Sequence, residues 1–165
     1  MKKYELTGDC KVFMGRKLFR IRALISFGDV DAGDVGGYVE KEENLSQAGN
    51  AWVYGNAAVC ENAKVYENAE VYGDAEVYGN AEVCGDAKVY VDADYATVHG
   101  FGSECRTTTF FRDKNGGVSV RCGCFSGTID EFREKVKRTH RGTKYEREYL
   151  AIADLMEKHF EEDGL

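Results

Sequence analysis

Basic and aromatic side chains are concentrated in the last third of the chain, where they could bind an anion. Between residues 105 and 150, eleven lysines and arginines stand against six acidic residues, which leaves a net charge of +5. Guanidinium groups hold phosphates through paired hydrogen bonds, and aromatic rings stack on planar bases. The predicted ligand-binding residues are Arg106, Thr108, Arg112, Arg121, Phe125, Arg138, His140, Arg141, Lys144 and Tyr145.

The charge of the middle of the chain limits which anion could bind. Residues 29–96 carry fifteen acidic side chains and three basic ones, a net charge of -12. Such a segment repels long nucleic acid, so a small phosphorylated ligand or an acidic partner surface fits better. Two other uses of the charges stay open. The basic segment could pack on the acidic one, or between subunits, and the acidic rows could mimic nucleic acid for a basic partner protein.

The cysteines supply no recognisable catalytic or metal centre. None of the six forms a Cys-x-x-Cys pair, and Cys122-Gly-Cys124 has no second pair or histidine pair at ligand spacing. No cysteine has an obvious base partner, and no glycine-rich phosphate loop ending in Lys-Ser or Lys-Thr is present. We therefore expect no catalytic residue, no metal and no cofactor.

A six-residue repeat precedes the basic segment and is the strongest pattern in the chain. In steps of six from Gly49 it reads GNAWVY, GNAAVC, ENAKVY, ENAEVY, GDAEVY, GNAEVC, GDAKVY and VDADYA. Ala-x-Val suits a short strand whose first and third side chains point the same way, and Gly-Asn or Gly-Asp suits a turn. Three hexads close one triangular coil, which predicts a mainly β fold, a parallel β-helix, over about residues 49–95.

A coil of about 18 residues predicts which side chains stack. Val53, Val71 and Val89 should form an inner column, and Tyr54, Tyr72 and Tyr90 an outer aromatic ladder. Glu70 should lie beside Lys88, and Lys64 beside Glu82, pairs of opposite sign. Cys60 and Cys84 occupy slots that other hexads give to tyrosine, so we expect them on the surface.

Irregular coils are expected before Gly49. Gly8–Phe13 fits the hexad frame, and Gly37-Tyr38-Val39 matches Ala-x-Val. Between them, residues 18–24 indicate an inserted strand or hairpin, followed by a loop at residues 29–36. The β-helix is therefore assigned to residues 1–100.

The last third predicts a small α+β module at residues 101–165, which caps the final coil. Thr107–Arg112 and Val118–Phe125 form a β-hairpin around Asn115-Gly116. Thr128 and Glu131 form a capping box that opens a first helix, with Ile129, Phe132 and Val136 on its apolar face. A second helix presents Tyr145, Tyr149, Ile152, Met156 and Phe160 along one side.

The hexads at residues 49–96 resemble the left-handed β-helix of bacterial hexapeptide-repeat proteins, which include acyltransferases. This resemblance implies left-handed coils and, often, a trimer. The whole chain is similar to small hexapeptide-repeat proteins encoded by phages and prophages, on the stretches LFRIRAL at 18–24, GDVGGYVE at 33–40, EENLS at 42–46 and CGCFSGT at 122–128, with Glu131-Phe132 and Thr139-His140. Phage origin implies a counter-defence role inside the host cell.

The expected function is therefore a non-catalytic, phage-type binding protein that sequesters a small anionic nucleotide signal. A direct inhibitor of a host defence complex is one alternative, and a hexapeptide-type acyltransferase is the other. The enzyme would need a histidine base, yet His99, His140 and His159 all lie outside the regular repeats. We expect a homo-oligomer, either a dimer or a trimer. We also expect a cytoplasmic location, because no signal peptide or membrane-spanning segment is evident.

Overall fold

The structure is a computed structural model that describes residues 1–161. It is mainly β, with two α-helices at the C-terminal end of the described chain. The chain forms two compact units, of which the first is Met1–Asp92 and the second begins at Ala93. Residues 93–100, which the sequence analysis assigns to the β-helix, are in the second unit.

The first unit begins with an antiparallel hairpin. Strands β1 (Tyr4–Phe13) and β2 (Arg16–Ala23) are joined by Met14-Gly15, both at positive φ, and β2 pairs with β3 (Val35–Val39). The expectation that Gly8–Phe13 forms an irregular coil is therefore wrong. Its partner is the strand that follows it directly, because a two-residue turn allows local antiparallel pairing at little entropic cost.

Seven two-residue strands follow, one in each of seven hexads. They are β4 (Trp52–Val53), β5 (Ala58–Val59), β6 (Lys64–Val65), β7 (Glu70–Val71), β8 (Glu76–Val77), β9 (Glu82–Val83) and β10 (Lys88–Val89). Each pairing joins parallel strands three hexads apart, so that Val53 aligns with Val71 and Val71 with Val89. The predicted 18-residue register is confirmed, and Tyr38-Val39 pairs in the same parallel sense with Ala58-Val59.

The interior of the first unit is built from the smallest side chains that the repeat offers. Every alanine in the third slot from Ala51 to Ala87 is buried, as is every valine in the fifth slot from Val53 to Val89. Burial of these columns removes apolar surface from water at each coil. Glu61 and Glu67 adopt the left-handed φ of 60° and 62° that glycine adopts in neighbouring hexads.

The predicted tyrosine ladder is present, whereas the two cysteines in the tyrosine positions of the hexad are not exposed as predicted. Tyr54 stacks on Tyr72 at 4.5 Å between ring centroids, and Tyr72 on Tyr90 at 4.8 Å. Glu70 forms an ion pair with Lys88, and Lys64 aligns with Glu82. Cys60 and Cys84 are each only 1% exposed, so the prediction that they lie on the surface is wrong.

Two different features account for the buried thiols. Cys60 lies in an apolar cluster with Leu18 and Tyr38, because the N-terminal hairpin covers that side of the sheet. Cys84 follows Tyr66 by one 18-residue coil, and a thiol reaches less far from the backbone than a phenol. The position of a residue within the hexad therefore does not by itself determine whether its side chain is exposed.

Polar side chains complete the hydrogen bonding of the first hexads, which pair only in part with earlier residues. The Lys3 ammonium is buried and donates to the Ala51 carbonyl at 2.8 Å. Burial lowers the pKa of Lys3 to about 8. The buried Asn44 amide donates to the Ala63 carbonyl at 2.8 Å. These contacts replace the strand-to-strand hydrogen bonds that an additional coil would supply.

The second unit is an antiparallel sheet with two helices. Strands β11 (Tyr95–Phe101), β12 (Arg106–Arg112), β13 (Val118–Cys122) and β14 (Phe125–Thr128) pair in chain order. The predicted hairpin is the central pair, β12 and β13, so the sheet has two strands more than expected. Helix α1 spans Ile129–Thr139 and α2 spans Lys144–Phe160, and the predicted capping box at Thr128 is confirmed.

Candidate functional site

A groove of about 860 Å³ lies within the second unit. Its walls come from the loop before β12, the turn between β13 and β14, helix α1, and Tyr149 of α2. The volume is in the range of small-molecule sites in proteins. The residues that line it include Glu104, Arg106, Phe125, Phe132, Lys135, Arg138, His140 and Tyr149.

The floor of the groove is aromatic. The Phe132 ring is buried and contacts Phe125 at 5.6 Å and Tyr149 at 5.6 Å between centroids. The Tyr149 contact is edge-on, at an interplanar angle of 85°. Phe132 and Tyr149 are buried, so the half-buried Phe125 is the ring of this floor on which a planar group can stack. Phe132 and Tyr149 belong to the apolar faces of α1 and α2, so the floor is also the edge of the hydrophobic core.

The Tyr149 phenol adds a neutral polar group to this floor. Burial raises the pKa of Tyr149 to about 12, with a smaller contribution from the neighbouring Cys122 thiol. The phenol therefore keeps its proton at neutral pH. It lies 3.5 Å from the Phe101 carbonyl, to which it donates, and 4.0 Å from the Cys122 sulfur.

His140 lies where α1 ends. Its backbone N–H donates to the Val136 carbonyl at 2.8 Å, and its own carbonyl accepts from the Thr143 hydroxyl at 2.7 Å. The imidazole is half-buried, 5.7 Å from the Tyr149 ring and 6.0 Å from the Tyr145 ring between centroids. These contacts fix the imidazole beside the aromatic floor.

The rim of the groove carries both signs of charge. Its cations are Arg106, Lys135 and Arg138, and its carboxylates are Glu104, Asp130, Glu131 and Glu134. Three carboxylates pair with cations: Asp130 with Arg133 at 3.0 Å, Glu134 with Lys137 at 2.9 Å and Glu104 with Arg106 at 3.8 Å. Among residues 1–161, Lys135 and Arg138 have no ion-pair partner, so both are available to an added anion.

The structure brings together four of the residues predicted to bind a ligand: Arg106, Phe125, Arg138 and His140 all line the groove. Arg112 is used elsewhere, since it donates to the Phe160 carbonyl at 2.7 Å and pairs with Asp94 at 3.2 Å. Thr108 is 1% exposed, and its hydroxyl donates to the Cys122 sulfur at 3.2 Å.

The remaining predicted residues lie outside the groove lining. Arg121 aligns with Thr109 and Ser126 within the sheet. Arg141 is exposed in the turn between the helices, and the Lys144 ammonium lies 5.1 Å from the Tyr145 ring centroid. Tyr145 is half-buried and contacts the groove only through the His140 ring.

Sequence reasoning missed three lining residues that matter to the chemistry. Phe132 and Tyr149 fit the apolar faces of the two helices, so their pattern predicts a core position, which is also correct. Lys135 lies one helical turn before Arg138, and this spacing was a usable signal that both cations share one side of α1.

The metal and histidine-base hypotheses differ in outcome, because His140 lines the groove whereas the described residues form no metal site. Among residues 1–161, no group of three or more histidine, cysteine or acidic side chains could hold a metal ion. His99 is exposed, with its Nδ1 3.0 Å from the Thr107 hydroxyl, and it does not line the groove. No helix in the described chain has the length and apolar character to cross a membrane.

Comparison with known proteins gives one distant similarity. No protein-family profile matches the chain. An alignment of 62 positions, 39% of them identical, relates the chain to an uncharacterized acetyltransferase, YdcK, of Escherichia coli (strain K12). The match covers 33% of this chain and 19% of that protein, so the chain spans about a fifth of the relative's length. The chain is thus similar, over part of its length, to a protein named as an acetyltransferase.

Proposed function

We propose that the protein is a non-catalytic binding protein whose second unit holds a small anionic ligand in the groove. The observation that carries this proposal is the combination of an aromatic floor with Arg106, Lys135 and Arg138 on the rim. Stacking on the floor would hold a planar ring, and the rim cations would hold its phosphate. A nucleotide has both parts, so nucleotides are the proposed ligand class.

We propose further that the first unit winds as a left-handed β-helix and serves as a rigid scaffold. The six-residue period, the parallel pairing at 18-residue intervals and the similarity to an acetyltransferase-named protein all support this reading. Assembly into a dimer or trimer in the cytoplasm of a host cell belongs to the same proposal. The resemblance to phage-encoded proteins supports sequestration of a nucleotide signal of host defence.

Calorimetric titration and thermal shift with a panel of nucleotides test the ligand class. Cyclic nucleotides, ADP-ribose and acetyl-CoA would be compared on the full chain. We expect a cyclic or ADP-ribose-type nucleotide to bind and to remain chemically unchanged. Binding of none of them would refute nucleotide sequestration and favour direct inhibition of a host protein through the acidic first unit.

Two neighbouring arginines make a matched pair for locating the site. Arg138 lines the groove, whereas Arg141, three residues on, does not. Arg138→Ala should weaken nucleotide binding about tenfold, because a charge-assisted contact is lost, and Arg141→Ala should leave it within about twofold. Equal losses in both variants would place the ligand outside the groove.

The acyltransferase remains the second candidate, favoured by the similarity to YdcK. It predicts turnover of acetyl-CoA with an acceptor, and loss of turnover in His99→Ala or His140→Ala. The binding proposal instead predicts no release of free coenzyme A from the wild-type protein. A thiol-release assay separates the two, and turnover that depends on one of these histidines would replace the proposal.

A further inference from the structure

We infer that Gly123 is a positioning residue that holds the Arg106 guanidinium at the groove, where it binds the anionic group of the ligand. This inference rests on the groove being the ligand site, as proposed above. It gives Arg106 a defined role among the rim cations.

The turn between β13 and β14 brings Gly123 against Arg106. Cys122 aligns with Phe125, so Gly123 and Cys124 form a two-residue connection. Gly123 has a φ of +59°, which L side chains rarely adopt. A Cβ at this position would overlap Arg106 Nη1 and lie 3.2 Å from Cζ. The guanidinium therefore occupies the space that any other residue at position 123 would fill.

The loop before β12 constrains Arg106 from the other side. The Gly102 N–H donates to a Glu148 carboxylate oxygen at 3.2 Å, and Gly102 lies directly against the Tyr149 ring. Two residues on, the Glu104 carboxylate is 3.8 Å from Arg106 Nη2. Arg106 is thus held between the turn at Gly123 and the loop at Glu104, and a bound anion would compete with Glu104 for it.

A side chain at position 123 should displace Arg106 without unfolding the unit. The overlapping atom is at the end of a long, flexible side chain, which can rotate away at small cost. A guanidinium group gives a strong anion contact only when its nitrogen donors face the anion. Displacement should therefore reduce anion affinity while the sheet stays intact.

Inorganic pyrophosphate is the probe, because it tests the anion contact without a base. Calorimetric titration at low salt would compare wild type with Gly123→Ala, Arg106→Ala and the double variant. The matched control is Gly116→Ala, since Gly116 has a φ of +79° in another turn of the same sheet and an added Cβ would meet no atom within 4 Å. Thermal unfolding of each variant would report the cost of backbone strain.

We expect Gly123→Ala and Arg106→Ala each to weaken pyrophosphate binding about tenfold, the loss of one charge-assisted contact. Gly116→Ala should bind as wild type while losing similar thermal stability. The double variant should bind no more weakly than Arg106→Ala, because Gly123 acts only through Arg106. A purely structural role for Gly123 would still weaken binding when Arg106 is absent.

Three results would overturn the inference: no pyrophosphate binding by wild type, undiminished binding by Gly123→Ala, or a further loss in the double variant. These results are distinguishable from failure of the nucleotide proposal. If pyrophosphate binding depends on both residues but no nucleotide binds, the role of Gly123 stands and the proposed ligand class fails. If nucleotides bind equally well to wild type and to Gly123→Ala, the proposed ligand class stands and the role inferred for Gly123 is wrong.

Discussion

The two units use polar and aromatic side chains in opposite ways. In the first unit they connect one coil to the next: Glu61 accepts the Gly79 N–H at 2.8 Å, and Glu67 accepts the Gly85 N–H at 2.7 Å. The tyrosine ladder has the same 18-residue interval. In the second unit, aromatic rings and cations of four elements surround a groove.

This difference teaches where recognition can arise in a repeat protein. A repeated position makes the same contact at every coil, so its hydrogen-bonding and stacking capacity is used within the stack. The second unit has no such repeat, and it leaves cations without an ion-pair partner, Lys135 and Arg138, in a groove that the half-buried Phe125 also lines. Variants in each unit can therefore test whether the two units differ in this way.

The largest effect should come from the aromatic core of the second unit. Phe132→Ala should lower the free energy of unfolding by about 3–5 kcal/mol, because one buried ring contacts several others. Val71→Ala in the first unit should cost only about 1–3 kcal/mol, since a smaller group is lost. Helical circular dichroism reports the second unit and fluorescence of the single tryptophan, Trp52, reports the first. Equal losses of unfolding free energy in Phe132→Ala and Val71→Ala would contradict this difference between the two units.

The next effect concerns the tyrosine ladder. Tyr72→Ala removes two stacked contacts at once and should cost about 1–2 kcal/mol in urea unfolding followed by Trp52 fluorescence. Tyr72→Phe keeps both stacks and loses only the hydroxyl, which lies 3.4 Å from the Lys88 ammonium. If the phenylalanine variant is as unstable as the alanine variant, stacking is not what the ladder contributes.

A smaller effect is expected where a glutamate replaces the usual glycine of the hexad. Glu61→Ala removes the carboxylate that accepts the Gly79 N–H and should cost about 1 kcal/mol, because alanine holds the same positive φ of 60° that glutamate does. Glu61→Gly loses the same hydrogen bond but should cost less, because glycine adopts a positive φ without strain. Urea unfolding of both variants checks the order, and a more stable alanine variant would contradict it.

The smallest effect is a pH dependence at Glu40. The Glu61 backbone N–H, 2.7 Å from Glu40, holds the pKa of that carboxyl below its ordinary value of 4.5, with help from Arg16. The stabilisation is therefore complete above that ordinary value, and it is lost as the pH falls from there through the lower pKa of the folded protein. Unfolding measured between about pH 6 and 3 should show a shallower decline in Glu40→Gln than in wild type. An identical decline of stability in both proteins would show that Glu40 does not contribute to the loss of stability in acid.

Features that repeat, or that depend on near neighbours, follow from the sequence alone. The alanine and valine columns, the 18-residue register and the tyrosine ladder follow from a period that fixes every contact at the same separation. The capping box at Thr128 and the hairpin of β12 and β13 follow from residues a few positions apart. Such contacts can be predicted because the partner's position is contained in the pattern.

Which side chains surround the groove, and which make contacts elsewhere, depends on how the elements pack in three dimensions. Nothing in the local sequence distinguishes Arg106, held beside Gly123, from Arg112, which pairs with Asp94 and the Phe160 carbonyl. The burial of Cys60 likewise depends on the N-terminal hairpin. These contacts join distant segments without a period, so they depend on how whole elements pack, and composition does not encode that packing.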